Sequence, residues 1–586
     1  YYPSYRAIHS DMDLWFHLSY GRHYVENLTF YIDHSMFSWT PSSAESTYNT
    51  WLGSSAMYLL HGVFGVTGLF ALHYLILLAS GAVVFLFARS VNVRPGIGVL
   101  AVILFAAISM RVAANFVKPE MFSTLFMSLT AALYLRFRTS PGRWIMWALP
   151  AVFLVWVNTH GLWQFGFTFL GLVFGVELVV FFAFPGQALG RTAMKYLALT
   201  VLFSFLALCM NPHGPGVPFG FVKGRASQIF SILFSSGGGA SGGAVLDYYR
   251  AISEYQSMWP HLFNWEDSHF KTVSALCMSS MIAIFAGAWI FSWKRAGKAD
   301  LPVAAANFFF FFMAMFMLRL GLVFGIIWIF SMVFLAGRIG PGSVFRGSVP
   351  LVTAAYLVLV AYTAVAAFCI YDDPSWFGKG YRNYIPDQEV NYIMKYDLPG
   401  PMFNDYISGG YLMWAAYPEY KVFLDPRQFP YRHEVFPDYQ SIGSKYPYTP
   451  EGLEKFTDKY PAKAALIHRR YPKFIEWFQK SPEWTLAYFD RVGVVMIRKD
   501  VIPELSKEAK EQAMRGPGKY SGVSNPLVLQ HLFNIYNNFI SPRYARQVRD
   551  MFEKNVPDWY LKKDTALEEF DKALKAAEKR KQGQGQ

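Results

Sequence analysis

The stretch Asp11-Met12-Asp13-Leu14-Trp15-Phe16-His17 places two carboxylates and a histidine just ahead of a long series of apolar segments. Acidic side chains close to hydrocarbon are costly, so their presence there indicates a function. An Asp-x-Asp pair suits two kinds of chemistry. It could hold a divalent metal ion, or one carboxylate could act as a general base. The alternative is that both acids only cap and brace an exposed loop.

The composition of the chain is that of a membrane protein. Of its 586 residues, 53% are hydrophobic and only 16% are charged, whereas soluble domains carry about 25% charged residues. The hydrophobic residues come in blocks, which predicts a polytopic α-helical membrane protein with polar parts attached. The chain has a net charge of +13. In a membrane protein, such a basic excess indicates cytoplasmic loops that face anionic lipid headgroups.

Two classes of function are disfavoured by the same composition. Lys and Arg are scattered over many loops instead of forming one basic patch, so we expect no nucleic-acid partner. The three cysteines, Cys209, Cys277 and Cys369, lie in apolar segments without a CxxC or Cys/His cluster. This pattern argues against cysteine-based metal sites and against a disulfide framework.

The hydropathy pattern divides the chain into four parts. Residues 1–65 form a polar, aromatic first loop region, and residues 66–371 form the transmembrane helical domain with a large loop at 211–270. Residues 372–500 are expected to form an α/β domain, and residues 501–586 a charged helical tail. Ten spans are predicted, at about 66–88, 97–110, 121–135, 144–158, 162–184, 196–210, 273–292, 301–318, 320–337 and 349–370.

Alternating loop charge predicts the orientation in the membrane. Loops rich in Arg and Lys, such as those with Arg136, Arg143 and Lys294, fall on one side, which the positive-inside rule makes cytoplasmic. The first loop region, the 211–270 loop and everything after residue 371 then lie outside. The run at 235–244, rich in Gly and Ser, is expected to be flexible. Because Tyr1-Tyr2-Pro3 already looks like a loop, we also expect a first span to precede Tyr1.

Polar residues gather at the predicted outer side. We expect them to line one outward-facing cavity, although each could instead cap only its own helix. Besides Gln164, the residues of this set are Asp11, Asp13, His17, Arg22, Lys118, Glu120, Asn158, His160, Asn211, His213, Asp267 and Arg319.

The α/β domain carries its own motifs. Val390 to Tyr396 is predicted to be helical, and residues 422–424 and 492–497 are predicted strands. Gly409-Gly410 is expected to make a tight turn. Asp425 and Arg427 could form an ion pair or a ligand clamp, and we favour the structural pair.

With these motifs in view, the chain resembles the GT-C superfamily of polytopic glycosyltransferases. That superfamily carries an acidic motif in its first extracytoplasmic loop, where Asp11-x-Asp13 stands here. The likeness to one poorly characterised bacterial group of this kind is closer, and it extends to about residue 500. The matching stretches are Asp13 to His17, Phe37-Ser38-Trp39-Thr40, Asn158-x-His160-Gly161, Asn211-Pro212-His213-Gly214 and Asp425-Pro426-Arg427.

The resemblance implies transfer of a sugar from a polyprenyl-phosphate carrier to an acceptor on the outer face of a bacterial inner membrane. Asp11 or Asp13 would deprotonate the acceptor, and Lys118, Arg22 or Arg319 would neutralise the departing lipid phosphate. A divalent metal at Asp11 and Asp13 stays open. The alternative is a non-catalytic subunit of the same fold that docks protein partners through residues 372–586. A transporter is a weaker alternative, because its binding residues would lie nearer the membrane midplane.

Overall fold

A computed structural model describes residues 12–44, 49–112, 117–221, 257–262, 269–340, 384–501, 511, 515–556, 561 and 565–583. Asp11, Asp267, the 235–244 run and the predicted span at 349–370 lie outside these residues. The described chain divides into two compact units. Unit 1 comprises the described residues of Tyr20–Tyr31 and Thr47–Lys379, and unit 2 those of Met12–Ser19, Ile32–Ser46 and Gly380–Gln586.

Unit 1 is helical throughout its regular structure, and helix α1 (Asp13–Glu26) starts in unit 2 and ends in unit 1. A helix coincides with each of the first nine predicted spans. The helices are α2 (Trp51–Ser90), α3 (Pro95–Val112), α4 (Glu120–Thr139), α5 (Ile145–Thr159), α6 (Trp163–Ala183), α7 (Arg191–Leu208), the short α8 (Gly216–Gly220), α9 (His269–Ala296), α10 (Leu301–Phe316) and α11 (Gly321–Ile339).

The lengths and hydropathies of these helices make the chain a multi-pass membrane protein. Within the described residues, five helical stretches are long and apolar enough to cross a membrane: Trp51–Ser90, Trp163–Ala183, Arg191–Leu208, Ser274–Ala296 and Leu318–Ile339. Three shorter apolar stretches are Pro95–Ile108, Ile145–Thr159 and Leu301–Phe316. Shorter spans are tolerated where their ends face protein instead of lipid.

Helix α4 is the exception in composition, because it buries small polar side chains such as Ser123, Thr124 and Ser128. It packs against α2, α5, α6 and α11. The Ser128 hydroxyl donates to the carbonyl of Thr124, 2.8 Å away, within the same helix. A helix surrounded by other helices can carry such hydroxyls where they find a partner, as Ser128 does one turn back in its own backbone.

Unit 2 contains a four-stranded sheet in the order β1 (Met402–Asn404), β2 (Ala464–His468), β4 (Gly493–Arg498) and β3 (Trp484–Phe489). β1 and β2 run parallel, with Phe403 opposite Ala465, and the other pairs are antiparallel. β2 is buried along its whole length. The helices of unit 2 are α12 (Asp387–Lys395), α13 (Tyr406–Ala416), α14 (Val435–Gln440), α15 (Pro450–Lys459), α16 (Pro472–Lys480), α17 (Pro526–Ile535), α18 (Pro542–Asn555) and α19 (Ala566–Gly583).

The helix predicted from Val390 and the strand predicted at 492–497 are confirmed as α12 and β4. The prediction of a tight turn at Gly409-Gly410 is wrong, because both residues lie inside α13. Asp405 caps this helix by accepting hydrogen bonds from the backbone N–H groups of Ile407 and Ser408. The glycines allow close contact: a Cβ on Gly409 would lie 2.1 Å from the carbonyl oxygen of Leu424.

Residues 422–424 are also not a strand of the sheet. Val422 forms a single bridge with Ser38, and the N–H of Phe423 donates to the side chain of Asn404 at 2.7 Å. The Thr40 hydroxyl donates to the carbonyl of Phe423 at 2.6 Å. The backbone groups of this apolar segment are therefore satisfied by side chains and by residues 38–40, which hydropathy alone cannot show.

Asp425 and Arg427 form a fully buried ion pair, as the structural interpretation predicted. Arg427 Nη2 lies 2.6 Å from Asp425 Oδ2, and neither side chain is exposed. Arg427 Nη1 donates to the carbonyl of His34 at 2.8 Å, and the Tyr431 hydroxyl donates to Asp425. The guanidinium thus ties the first loop region to the sheet domain within unit 2.

The close approach at Gly409 predicts that replacing this glycine costs more stability than replacing a glycine with free space around it. Gly409→Ala should destabilise unit 2 by about 1–3 kcal/mol, because the new methyl group meets a backbone oxygen that cannot move freely. Gly518→Ala is the matched control, since nothing lies within 4 Å of a Cβ built there. Hydrogen–deuterium exchange of β2 in the full chain measures the difference. Equal protection in both variants would contradict this packing.

Candidate functional site

The carboxylate of Glu120, at the start of α4, lies close to two basic side chains from different parts of unit 1. Arg319 Nη2 donates to Glu120 Oε2 at 2.9 Å, and Lys118 Nζ lies 3.6 Å from the same oxygen. The side chains are only partly covered, with 19% of Arg319, 8% of Lys118 and 17% of Glu120 exposed. Lys118 and Arg319 thus share the carboxylate of Glu120, and all three side chains keep some exposure.

His160, which follows α5, completes this group. Its Nδ1 lies 3.0 Å from the Ser123 hydroxyl, which also accepts a hydrogen bond from Trp156 Nε1 at 2.9 Å. His160 is buried and lies within electrostatic range of Glu120, Lys118 and Arg319. We refer to Lys118, Glu120, His160 and Arg319 as the Glu120 cluster. Four of the residues predicted to share a cavity therefore meet in unit 1.

Asn158 and Asn211 serve the backbone. Asn158 donates to the carbonyls of Leu154 and Met210 and accepts from Trp51 Nε1 at 2.7 Å. Asn211 donates to the carbonyls of Leu208 and Gly214, so it closes its own turn. Asn211 therefore holds its own turn together, whereas Asn158 links the end of α5 to Met210 and to Trp51 of α2.

The remaining described residues of the predicted set lie on other segments of the chain. His213 follows Asn211 and packs edge-on against Tyr31 with ring centroids 5.5 Å apart, and burial lowers its pKa. Arg22 lies on α1 within unit 1. Asp13 and His17 belong to unit 2, where Trp15 between them packs edge-on against Tyr411 of α13 at 4.8 Å.

A metal site cannot be assembled from the described residues alone. Among them, no three His, Cys, Asp or Glu side chains are grouped so as to hold a metal ion. Asp11 lies outside the described part of the chain, so a metal held by Asp11 and Asp13 stays a prediction.

Sequence reasoning missed a second ionic cluster near the other end of α4. Arg138 lies beyond the predicted span at 121–135, but it is buried in α4 and pairs with Glu177 of α6. It also pairs with Asp300, just before α10, at 3.0 Å, and Arg338 of α11 reaches Asp300 at 3.3 Å. The one signal in the sequence was an acid, Glu177, inside an otherwise apolar span. Eighteen residues of helix separate Arg138 from Glu120, a rise of about 27 Å.

Comparisons with known proteins show the fold. No family model matches the sequence, and no curated protein matches it. The archaeal oligosaccharyltransferase AglB from Archaeoglobus fulgidus, solved with an inhibitory peptide and a dolichol-phosphate, is 12% identical with a TM-score of 0.51. The match covers 93% of this chain and 82% of that one. The apo form of the Archaeoglobus fulgidus oligosaccharyltransferase is 14% identical with a TM-score of 0.50, over 80% of this chain and 68% of that one.

ArnT from Cupriavidus metallidurans, bound to undecaprenyl phosphate, is 14% identical with a TM-score of 0.40, over 83% of this chain and 95% of that one. Such a score is too low to carry an argument. The fold is therefore GT-C-like: it is similar to that of the two oligosaccharyltransferase structures, and it carries a small C-terminal α/β domain. The predicted fold class is thereby confirmed.

The Glu120–Arg319 contact predicts thermodynamic coupling between α4 and the start of α11. A double-mutant cycle with Glu120→Gln and Arg319→Gln should give a coupling free energy of about 0.5–3 kcal/mol, because the residues are in contact. Denaturant unfolding in mixed micelles measures it. The control cycle replaces Arg319→Gln by Arg143→Gln, an exposed arginine beyond the other end of α4. Additive effects of the Glu120 and Arg319 substitutions would contradict the ion pair.

Proposed function

We propose that this protein is a membrane glycosyltransferase that moves a sugar from a polyprenyl-phosphate carrier to an acceptor at the extracytoplasmic face. The observation that carries the proposal is the Glu120 cluster within a GT-C fold. A lipid phosphate that leaves during sugar transfer needs positive charge beside it, and Lys118 and Arg319 supply that charge.

The electrostatics of the Glu120 cluster suit a phosphate that must bind and leave. Glu120 holds the two cations close together and offsets part of their mutual repulsion. An incoming phosphate can accept hydrogen bonds from both, and charge-assisted bonds of this kind are about twice as strong as neutral ones. His160, fixed through Ser123, adds a polar wall on the α5 side.

An apolar cavity in unit 1 supports a lipid donor. It has a volume of about 500 Å³ and lies between α2 and α3, lined by side chains such as Leu77, Phe85 and Phe105. Its lining is almost wholly apolar, so hydrocarbon is its natural occupant. Ala106 of this lining lies near the end of α3, the helix that precedes Lys118 in the chain.

The acidic motif supplies the base in this proposal. Asp11 or Asp13 takes the proton from the attacking acceptor hydroxyl, and a bond forms from the acceptor oxygen to the sugar. The bond from the sugar to the phosphate breaks, and the lipid phosphate keeps the electron pair. Asp13 stands at the first turn of α1.

Replacing the base separates an enzyme from a docking subunit. Asp13→Asn keeps the size of the side chain, so the protein should fold and insert while transfer falls about 10²–10⁴-fold. Asp11→Asn is made in parallel, because either acid could be the base. The readouts are surface glycans and the pool of carrier lipid, with membrane insertion as the control. Unchanged glycans and an unchanged pool in both variants would sink the proposal and favour the docking subunit.

The proposed topology has a separate test. The bias of Arg and Lys among the loops puts residues 372–586 outside the cytoplasm. A reporter that is active only in the cytoplasm should therefore stay silent when it is fused after Gln586. The same reporter placed after Arg143, in the loop between α4 and α5, should be active. An active fusion at Gln586 would invert the topology and remove the extracytoplasmic site.

A further inference from the structure

The parallel strands of unit 2 end side by side at one edge of the sheet. Asn404, the last residue of β1, pairs with Leu466, and β2 continues to His468. In α/β sheets, ligands bind in the crevice beyond the carboxyl ends of parallel strands. The chain leaves β2 here through Arg469-Arg470-Tyr471 and enters α16 at Pro472-Lys473, and three of these five residues are basic.

Buried hydrogen bonds hold this loop in one conformation. Asp405 accepts from the N–H of His468 at 2.6 Å. His468 Nδ1 accepts from the N–H of Arg470, so Nε2 carries the ring proton and donates to the carbonyl of Tyr384 at 3.1 Å. Burial lowers the pKa of His468 well below its ordinary value, which keeps the ring neutral. The loop is therefore built before any ligand arrives.

The side chains of this segment, together with that of Tyr384, combine positive charge with aromatic rings. The Arg470 guanidinium lies 4.6 Å from the centre of the half-buried Tyr384 ring. Tyr471 stacks on Phe474, with ring centroids 5.2 Å apart. Arg470 and Lys473 are exposed, and neither forms an ion pair with an acid among the described residues. By contrast, Lys480 at the end of α16 pairs with Glu476 at 2.8 Å.

We propose that Tyr384, Arg470, Tyr471 and Lys473, together called the Arg470 patch, bind an acidic oligosaccharide that serves as the acceptor. The proposal rests on the proposed function, because it names the acceptor of that reaction. A guanidinium held against a ring presents its planar N–H groups to a carboxylate, which it can bind with two parallel hydrogen bonds. The half-buried Tyr384 ring beside it adds apolar surface for the sugar.

Equilibrium binding to the full chain in detergent tests the Arg470 patch. The probes are tetragalacturonate, which carries carboxylates, and maltotetraose, which is neutral. Tetragalacturonate should bind more tightly, and Arg470→Gln should weaken it about tenfold or more, the loss expected for a charge-assisted contact. Lys480→Gln is the matched control, because Lys480 is already paired with Glu476. This variant should bind tetragalacturonate with the wild-type affinity. Since Arg470 is exposed, its replacement leaves the fold intact, which amide exchange of β2 verifies.

Three results would overturn the proposal: equal binding of tetragalacturonate by wild type and Arg470→Gln, equal affinity for the neutral sugar, or tighter binding of a tetraglutamate peptide. The last result would assign the patch to an acidic protein partner. Failure of the glycosyltransferase proposal shows itself differently, as unchanged glycans in the Asp11→Asn and Asp13→Asn variants. Loss of probe binding in Arg470→Gln with unchanged transfer in cells would overturn the acceptor role alone.

Discussion

The membrane unit depends on the pairing of charge inside a bundle of apolar helices. A buried ion that loses its partner is costly, so Glu120 and Arg138 each tie α4 to another element of unit 1. Near one end of α4, Glu120 holds Arg319 and Lys118. Near the other, Arg138 holds Glu177 and Asp300. Four neighbouring helices cover the polar interior face of α4, so its polar side chains face protein and not lipid.

The two ionic clusters differ in what they leave for a ligand. The cluster around Arg138 contains two acids and two bases, so its charges balance, and Arg138 and Asp300 are almost fully buried. It holds helix ends together. The Glu120 cluster is partly exposed, and we propose that it takes up the phosphate of the lipid carrier. Similar residue types thus serve structure at one end of α4 and chemistry, as we propose, at the other.

Unit 2 depends on a different buried pair. Arg427 satisfies Asp425 beside it in the chain and the carbonyl of His34, almost four hundred residues away. Trp39 Nε1 donates to the carbonyl of Met402 at 2.9 Å, next to the same sheet. Residues of the first loop region are therefore part of the sheet domain. Hydropathy separates these segments into different parts of the chain, because it carries no record of which distant segments fold together.

The sequence by itself determined the features that depend on neighbouring residues. Apolar runs of sufficient length predicted the helices of unit 1, and the short, Val-rich apolar run at 492–497 predicted β4. The spacing of Asp425 and Arg427 was enough to predict their pairing. Only the tertiary structure shows that Leu424 leaves no room for a side chain at Gly409. It also determines which polar residues are in contact. Lys118 and Glu120 approach Arg319 across about two hundred residues, and Asn158 turns to the backbone instead of joining them. Such outcomes follow from the packing of whole helices, which brings together residues whose distance along the chain carries no information about contact.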